Sequence, residues 1–447
     1  MGRVLEQVVQ ISNNLNNKMS ANSHLLSSLR FLPLFITQFF GAFNDNVLKN
    51  AFLIWFTYEI SQKRGMDAQV MASVAAGLFI LPFFLFSSLA GQLADKYRKS
   101  RLIQIIKIVE IGIMSFCFIG FYFENIYLLL ALIFLMGVHS TFFGPMKYSL
   151  LPEHLQQQEL LRGNALIEGG TFLAILLGTI LGGLVIRLGN GIAIISIVTV
   201  AVAVIGWLSS RFIPQSVAAD PKLKISFNIA RETWKIISYA KKKKVVWLSI
   251  IGISWFWFIG ATFLSQFPTY TKNIIGGDEY VVTLFLSIFS IGIGVGSMLC
   301  NKMLKGKVDG RLVPLGSMGI TLGVIIFCVA SYFYDASAVE GLLGLREFLL
   351  VGGFSWMIIL GLLMIAVSSG IYIVPLYAIM QRRSQGKYLS RVIAANNILN
   401  ALFMVGSSLG VLVLLGLGLE LLEILLMVGV GNLVMLFWVS GVARVKD

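Results

Sequence analysis

Ionisable and amide side chains interrupt the first long apolar stretch of the chain, residues 31–58. Asn44, Asp45, Asn46 and Lys49 lie near the middle of this stretch, which is otherwise rich in Phe, Leu and Ile. A charged group near the centre of a bilayer is costly and rare, so it marks a functional site by default. We therefore expect the function of this protein to involve Asp45.

Later apolar stretches carry further polar residues that could complete a site. Lys147 and Tyr148 follow Pro145, and Glu168 lies four residues after Asn164, so that these two share a helix face. The second half of the chain offers amides and aromatic rings in place of charges. The candidates there are Gln266, Tyr377, Asn396, Asn397 and Asn400.

The composition indicates a polytopic membrane protein. Hydrophobic residues make up 57% of the 447 residues and charged residues only 13%, which is too apolar for one water-soluble core. Apolar runs long enough to span a bilayer predict twelve transmembrane helices. These are residues 31–58, 70–94, 102–121, 126–150, 164–187, 190–213, 245–271, 280–303, 312–334, 349–379, 390–417 and 420–442.

Basic residues are concentrated in alternate loops. Lys and Arg outnumber Asp and Glu in segments 95–101, 211–244, 302–311 and 382–391, whereas 151–163 breaks the alternation. Cytoplasmic loops carry such an excess, so we expect both termini and the central loop to face the cytoplasm. This asymmetry accounts for most of the net charge of +14, and nucleic-acid binding is not expected.

Six spans, a basic loop and six more spans indicate a duplicated, all-α architecture of two pseudo-symmetric six-helix bundles. Gly178 and Gly182 of the fifth span parallel Gly406 and Gly410 of the eleventh, and close helix packing is the favoured reading of these small residues. The predicted segments are a cytoplasmic lead 1–30, a first bundle 31–213, a basic linker 214–244, a second bundle 245–443 and a tail 444–447.

The linker is expected to contain a basic amphipathic stretch from Phe227 to Lys244. Such a stretch would lie on the inner leaflet, with Trp234 and Tyr239 in the interface and the run of lysines from Lys241 toward anionic headgroups.

No motif points to a metal or cofactor. Cys117, Cys300 and Cys328 fall inside or at the edge of predicted spans and have no metal-ligand or disulfide spacing. His154 and Glu159 fit a short acyltransferase pattern, but no soluble catalytic domain accompanies them, so we do not expect an enzyme. His139 of the fourth span could titrate, although a hydrogen-bonded packing role is favoured.

The loop between the second and third spans resembles the signature of the major facilitator superfamily. It reads GQLADKYRKSR from Gly91, with Asp95 followed by the bases Lys96, Arg98 and Arg101. Gly91 would allow close helix contact, and Asp95 would pair with a base or with the N-terminal end of a helix to latch the cytoplasmic side. The second half lacks the corresponding acid, so we expect one such latch.

Three stretches resemble the bacterial lysophospholipid transporter family within that superfamily. They are QFFGAFNDNVLK from Gln38, FGPMKYSLLP from Phe143 and GNALIE from Gly163. The resemblance implies a flippase that moves lysophospholipids, chiefly lysophosphatidylethanolamine, from the outer to the inner leaflet of the bacterial inner membrane for reacylation. Because this chain carries no fused acyltransferase, any such enzyme would be a separate partner, and we expect a monomer surrounded by membrane lipids.

The chemistry of such a substrate agrees with the candidate residues. Asp45 could receive an ammonium group and Lys147 or Lys49 a phosphate, with Glu168 as a second acid. Some relatives carry an arginine in the seventh span that is missing here, which shifts the phosphate toward Lys147. Alternatively, Asp45 forms a structural ion pair with Lys49 or Lys147, and Lys49 is the favoured partner.

Asn44 and Asn46 cannot both face a cavity together with Asp45, so one of them should bond to a neighbouring helix. Two other functions remain open at this point: a proton-coupled exporter of a drug or small solute, with Asp45 or Glu168 as its proton site, and a membrane-embedded enzyme or scaffold.

Overall fold

A computed structural model describes residues 25–335, 341–384 and 386–443, and twelve long helices form its framework. The helices are α1 Leu32–Trp55, α2 Ala68–Lys96, α3 Lys99–Tyr122, α4 Ile126–His154, α5 Gln157–Val185, α6 Gly191–Ser210, α7 Lys244–Tyr270, α8 Glu279–Leu304, α9 Val313–Tyr332, α10 Gly353–Arg383, α11 Leu389–Gly416 and α12 Leu421–Ala443. The predicted all-α architecture is confirmed.

Eleven of these helices are long and apolar enough to cross a membrane. The exception is α1, because its centre carries the polar run Asn44 to Asn46 together with Lys49 and Asn50. Its 24 residues still extend for about 36 Å at 1.5 Å per residue, enough for the roughly 30 Å hydrocarbon layer. We therefore describe α1 as the twelfth span, and the protein is a multi-pass membrane protein.

The two halves repeat the same helix pairing. In the first half α1 packs on α5, α2 on α4 and α3 on α6, and in the second half α7 packs on α11, α8 on α10 and α9 on α12. The main contacts between the halves follow the same repeat. The contact of α5 with α8 is the counterpart of the contact of α11 with α2. The duplication predicted from the sequence is therefore present in the packing.

The glycines that suggested the duplication have different surroundings in the two halves. A Cβ atom at Gly178 or Gly182 would lie 2.5 Å from a backbone carbonyl of α1, so these residues allow α5 to pack closely on α1. Gly406 and Gly410 of α11 have no heavy atom within 4 Å of a Cβ position. Close packing accounts for the first pair only.

The connection between α4 and α5 is shorter than predicted. A loop was expected over residues 151–163, but α4 continues to His154 and α5 begins at Gln157. Leu151, Leu155 and Leu160 are buried there, and the side chains of Gln156 and Glu159 form a capping box at the start of α5.

Segment 211–244 covers the end of the molecule where α2, α4 and α6 end, which we call the linker end; the opposite end is the far end. The segment contains the linker helix, Ile229–Lys242. Trp234 is 70% exposed, as expected for an interfacial residue, whereas Tyr239 stacks on Tyr388 with 4.5 Å between ring centroids. Tyr239 thus packs partly on protein, and its place in the lipid interface stays a prediction.

Candidate functional site

Asp45 of α1 faces α4 near the middle of the first bundle. Its Oδ2 accepts a hydrogen bond of 2.7 Å from the Ser140 hydroxyl, while its Oδ1 is buried and accepts none from the described residues. Ser140 is half-buried, so the carboxylate adjoins space that the protein does not fill. A carboxylate with one free buried oxygen favours a cationic ligand, because an unpaired buried charge is unfavourable.

Lys147 and Glu168 form a second part of the site, one to two turns further along α4 and on the facing side of α5. The half-buried Lys147 interacts electrostatically with both Glu168 and Asp45, and its ammonium lies 4.5 Å from the centre of the Tyr148 ring. Glu168 is fully buried; its Oε1 accepts a 2.5 Å hydrogen bond from the Tyr148 hydroxyl, and its Oε2 accepts none within the part of the chain described.

The second half contributes rings and amides, as expected. Tyr377 of α10 stacks on Tyr148 with 4.5 Å between centroids and 8° between planes, and its hydroxyl accepts a bond from the Trp257 indole. The Asn397 amide lies against Gly144, where a Cβ would come within 2.6 Å of it. The two halves therefore meet directly beside Lys147.

The remaining second-half candidates are spread along α7 and α11. Asn400 is 8% exposed and accepts a hydrogen bond from Ser254. Asn396 is fully buried. Gln266 is half-buried, and its one hydrogen bond among the described residues is to its neighbour Ser265. Gln266 lies more than two turns further toward the far end than Trp257, so it is the candidate most remote from Lys147.

Several predicted site residues make contacts that differ from those expected. Asn44 donates to Glu110 at 2.9 Å and to the Thr199 carbonyl at 3.1 Å, whereas Asn46 donates to the carbonyl of Ala42 in its own helix. Asn44 is therefore the amide that bonds to neighbouring helices. Lys49 interacts electrostatically with Asp45, as expected, but the two are too far apart to be among the ion pairs of the described residues, and the Lys49 ammonium lies 4.2 Å from the centre of the Phe79 ring.

Asn164 bridges the two halves. Its amide donates to Gln381 Oε1 at 2.7 Å, and the Gln381 amide donates back to Asn164 Oδ1 at 3.0 Å. Both residues are fully buried, so Asn164 holds α5 to α10 and is not free for a ligand.

Sequence reasoning missed a buried ionic cluster behind Asp45. Lys107 and Glu110 of α3 form an ion pair, and His139 of α4 lies 3.0 Å from the same Glu110 carboxylate; none of the three is more than 4% exposed. Since Asn44 also donates to Glu110, the cluster joins α1, α3 and α4. The sequence signal was a lysine and a glutamate three residues apart within an apolar run, a spacing that puts both on one helix face.

Asp95 forms the latch that the loop signature predicts. Its Oδ2 accepts a 2.8 Å bond from Arg391 Nε, and its Oδ1 accepts a 3.2 Å bond from the backbone N–H of Ser390 in the first turn of α11. The base is thus Arg391 of the second half, whereas Arg98 and Arg101 are exposed and Lys96 lies beside the Tyr97 ring. A Cβ at Gly91 would lie 2.8 Å from Ala394, which confirms the expected close contact.

Among the described residues, no comparable close contact is found at the glycine on the same face of α2 toward the far end. Gly77 lies about four turns before Gly91 and on the same face of α2, yet it has no heavy atom within 4 Å of a Cβ position. The latch, the Asn164–Gln381 pair and the Tyr148–Tyr377 stack all lie at or on the linker side of Lys147. These contacts hold the two halves together at the linker end, whereas α2 has open space beside Gly77 toward the far end.

The acyltransferase-like pattern does not form a catalytic pair. Both carboxylate oxygens of Glu159 accept bonds from Arg30, at 2.7 and 2.8 Å, and one of them also caps α5 at Gln156. Glu159 therefore acts as a structural residue.

Twelve helices form two six-helix bundles with the same internal packing, and polar residues lie between the bundles. This is the architecture of a secondary transporter. The sequence profile of the Major Facilitator Superfamily matches residues 34–411, so the chain belongs to this superfamily.

Individual proteins resemble the chain over nearly its whole length. It is 26% identical to the lysophospholipid transporter LplT of Serratia proteamaculans, over 90% of this chain and 91% of the relative, and 28% identical to LplT of Yersinia enterocolitica, over 88% and 87%.

Solved structures share the fold at low sequence identity. The human organic anion transporter MFSD10 superposes with a TM-score of 0.71 at 12% identity, over 92% of this chain and 99% of that one. The Escherichia coli fucose:proton symporter FucP gives a TM-score of 0.65 at 10% identity, over 92% and 98%.

Proposed function

We propose that the protein is a lysophospholipid transporter that moves its substrate from the outer to the inner leaflet of the bacterial inner membrane by alternating access. The relatives named lysophospholipid transporter support the substrate class, and their likeness extends over about nine-tenths of the chain.

One observation in the site carries the proposal. Asp45 and Glu168 each keep one buried oxygen without a hydrogen bond from the described residues, and the half-buried Lys147 interacts with both acids. A zwitterionic headgroup supplies what this arrangement lacks, an ammonium for a carboxylate and a phosphate for the lysine. Asp45 is our first choice for the ammonium, as in lysophosphatidylethanolamine, and Lys147 for the phosphate.

The open space beside Gly77 of α2 and beside Gly406 and Gly410 of α11 supports a lateral gap between these helices through which a lipid enters. A lysophospholipid could move its headgroup to Lys147 while its acyl chain stays in the membrane between the two helices. Large apolar residues of both helices are exposed at this depth, among them Val70 and Val74 of α2 and Leu402 and Leu409 of α11. With the termini and the linker end in the cytoplasm, the gap would open to the outer leaflet.

A leaflet-exchange assay tests the proposal. Proteoliposomes containing fluorescent lysophosphatidylethanolamine are compared with empty vesicles for the wild type, Asp45→Asn and Lys147→Met. We expect the wild type to accelerate exchange and each variant to reduce its rate at least tenfold, because each loses a charge-assisted contact. Exchange by the wild type no faster than in empty vesicles would refute lysophospholipid transport.

The exposed Lys63–Glu124 pair at the far end provides matched controls, since Lys63→Met and Glu124→Gln make equivalent changes of charge outside the site. Normal transport by folded Asp45→Asn and Lys147→Met proteins would leave the function standing but reject the site. The same assay with and without a proton gradient distinguishes facilitated exchange from proton-coupled export.

A further inference from the structure

A cleft of about 400 Å³ lies at the linker end, between the linker helix and the start of α11. This volume is within the roughly 300–1,000 Å³ of typical ligand pockets. Its walls include Lys224 in the extended part of the linker, Arg231 and Lys235 on the linker helix, and Arg391 on α11.

The cleft is strongly basic. Glu232 is the one acidic residue among its lining residues, and it forms a 2.5 Å ion pair with Lys235. Arg391 is bound to Asp95 and lies 3.7 Å from Asp220. Lys224 and Arg231 are exposed and have no acidic partner among the described ion pairs, so two positive charges are available to a ligand.

The linker that forms one wall is attached to both halves of the transporter. On the first half, Ser226 N–H donates to the Gln92 side chain at 2.9 Å, and the Gln92 amide donates back at 3.2 Å. On the second half, Tyr239 stacks on Tyr388, and Ile236 packs in a cluster with residues of α11. The cleft therefore lies across the boundary that must open when the linker end opens.

Two aromatic side chains place the cleft at the membrane surface. Phe227 is 79% exposed and Trp234 is 70% exposed, one just before the linker helix and one on it. Large exposed aromatic residues beside basic residues are typical of segments that lie in the headgroup region of a bilayer.

We propose that this cleft binds the anionic phosphate headgroup of an inner-leaflet phospholipid, and that the bound headgroup weakens the latch. The phosphate is held by Lys224 and Arg231 and competes with Asp95 for Arg391. Loss of the Arg391–Asp95 contact favours opening of the linker end. Anionic lipid on the cytoplasmic side thus shifts the transport cycle toward release, through a site separate from Asp45 and Lys147.

Distance measurements between spin labels test the proposal without a transport assay. Cysteines replace the exposed residues Gln157 and Lys302, one in each half at the linker end, in a protein whose three buried cysteines are changed to serine. Nanodiscs of phosphatidylcholine alone are compared with nanodiscs containing phosphatidylglycerol. We expect phosphatidylglycerol to increase the longer-distance population at least threefold in the otherwise unchanged protein.

Two double variants with the same change in charge distinguish the cleft from general surface attraction. Lys224→Gln with Arg231→Gln should abolish the response to phosphatidylglycerol, whereas Lys241→Gln with Lys242→Gln, outside the cleft, should keep it. Native mass spectrometry should show about thirtyfold less retained phosphatidylglycerol for the first variant, because the two basic residues together contribute about 2 kcal/mol near a membrane.

Three results would overturn the proposal. The first is a wild-type distance distribution that does not depend on phosphatidylglycerol, and the second is an equal loss of response in both double variants. The third is the same response to soluble glycerol phosphate in phosphatidylcholine nanodiscs, because the ligand would then be a free phosphate compound. None of these results depends on transport of lysophospholipid, so the proposed function is tested separately.

Discussion

At the level of single residues, buried charges in this protein are arranged in two ways. Glu110 is surrounded by donors, since Lys107, His139 and Asn44 all contact its carboxylate. Within the part of the chain described, the Asp45 carboxylate accepts one hydrogen bond, from Ser140, and the Glu168 carboxylate accepts one, from Tyr148, while Lys147 interacts electrostatically with both acids. The first arrangement is balanced without a ligand and stabilises the bundle, whereas the second leaves charge for a ligand to compensate.

Glu110→Gln should destabilise the protein strongly, because it leaves the ammonium of Lys107 buried without a counter-charge. Breaking a buried ion pair by removing one partner typically costs about 3–5 kcal/mol. The double variant Lys107→Gln with Glu110→Gln removes both charges and should recover most of this loss. Thermal unfolding of the purified protein in detergent measures both effects, and a double variant no more stable than the single one would contradict the interpretation.

Tyr148→Phe should impair transport more than stability. The change removes the one described hydrogen bond to the Glu168 carboxylate, and bonds to charged groups contribute about 1.5–3 kcal/mol. We expect about a tenfold lower leaflet-exchange rate at low substrate concentration. Tyr372→Phe is the control, because its buried hydroxyl has no hydrogen-bond partner within the described residues. Equal effects of the two changes would show that Glu168 is not held for substrate.

At the level of helices, apolar run length predicted the spans well, because the bilayer selects for continuous apolar segments. It failed between α4 and α5, where the polar residues Gln156 and Glu159 form a capping box and do not belong to a loop. It also passed over Lys107 and Glu110, since two charges in twenty apolar residues leave the segment apolar overall. Their partner His139 lies on another helix, and its proximity follows from tertiary packing, which a single sequence does not encode locally.

Only part of the latch was predicted, because its second partner also depends on tertiary packing. The local signature identified Gly91 and Asp95 and the kind of partner that Asp95 needs. Arg391 is almost 300 residues away in sequence and carries no motif of its own, so the choice among the bases depended on the packing of α2 against α11.

Gly91→Ala should force α2 and α11 apart at the linker end. The added Cβ would lie 2.8 Å from Ala394 Cβ and 3.0 Å from the Arg391 backbone, so one helix must move. We expect a broader distance distribution between labels at residues 157 and 302. Gly77→Ala is the control in the same helix, where the new methyl group meets open space. An unchanged distribution for Gly91→Ala would mean that the helices can adjust without opening.

At the level of the whole molecule, the two halves repeat the same helix packing, but the contacts between the halves differ between the linker end and the far end. The repeated pairing of helices treats the two ends of the molecule alike, yet the latch, the Asn164–Gln381 pair and the Tyr148–Tyr377 stack all lie on the linker side of the molecule. The linker adds to this difference, because Asp220 donates its backbone N–H to the Asp95 carbonyl at 2.8 Å. Alternating access requires these contacts to break together, so their strength sets the balance between the two states.

Asp95→Asn should shift this balance toward a state open at the linker end, because Arg391 loses its close acidic partner. A loss of 1.4 kcal/mol already changes the ratio of two states tenfold. We expect at least a tenfold change in the ratio of the open to the closed population, measured from the distances between labels at residues 157 and 302.

The charge-swapped variant, Asp95→Arg with Arg391→Asp, should restore closure only in part. The ion pair re-forms, but an arginine at position 95 cannot accept the Ser390 N–H bond at the start of α11. Glu153→Gln is the control, because it breaks a 2.7 Å ion pair with Lys99 that lies within the first half. A wild-type distribution in Asp95→Asn would mean that Asn164–Gln381 and the α5–α8 contact keep the linker end closed without the latch.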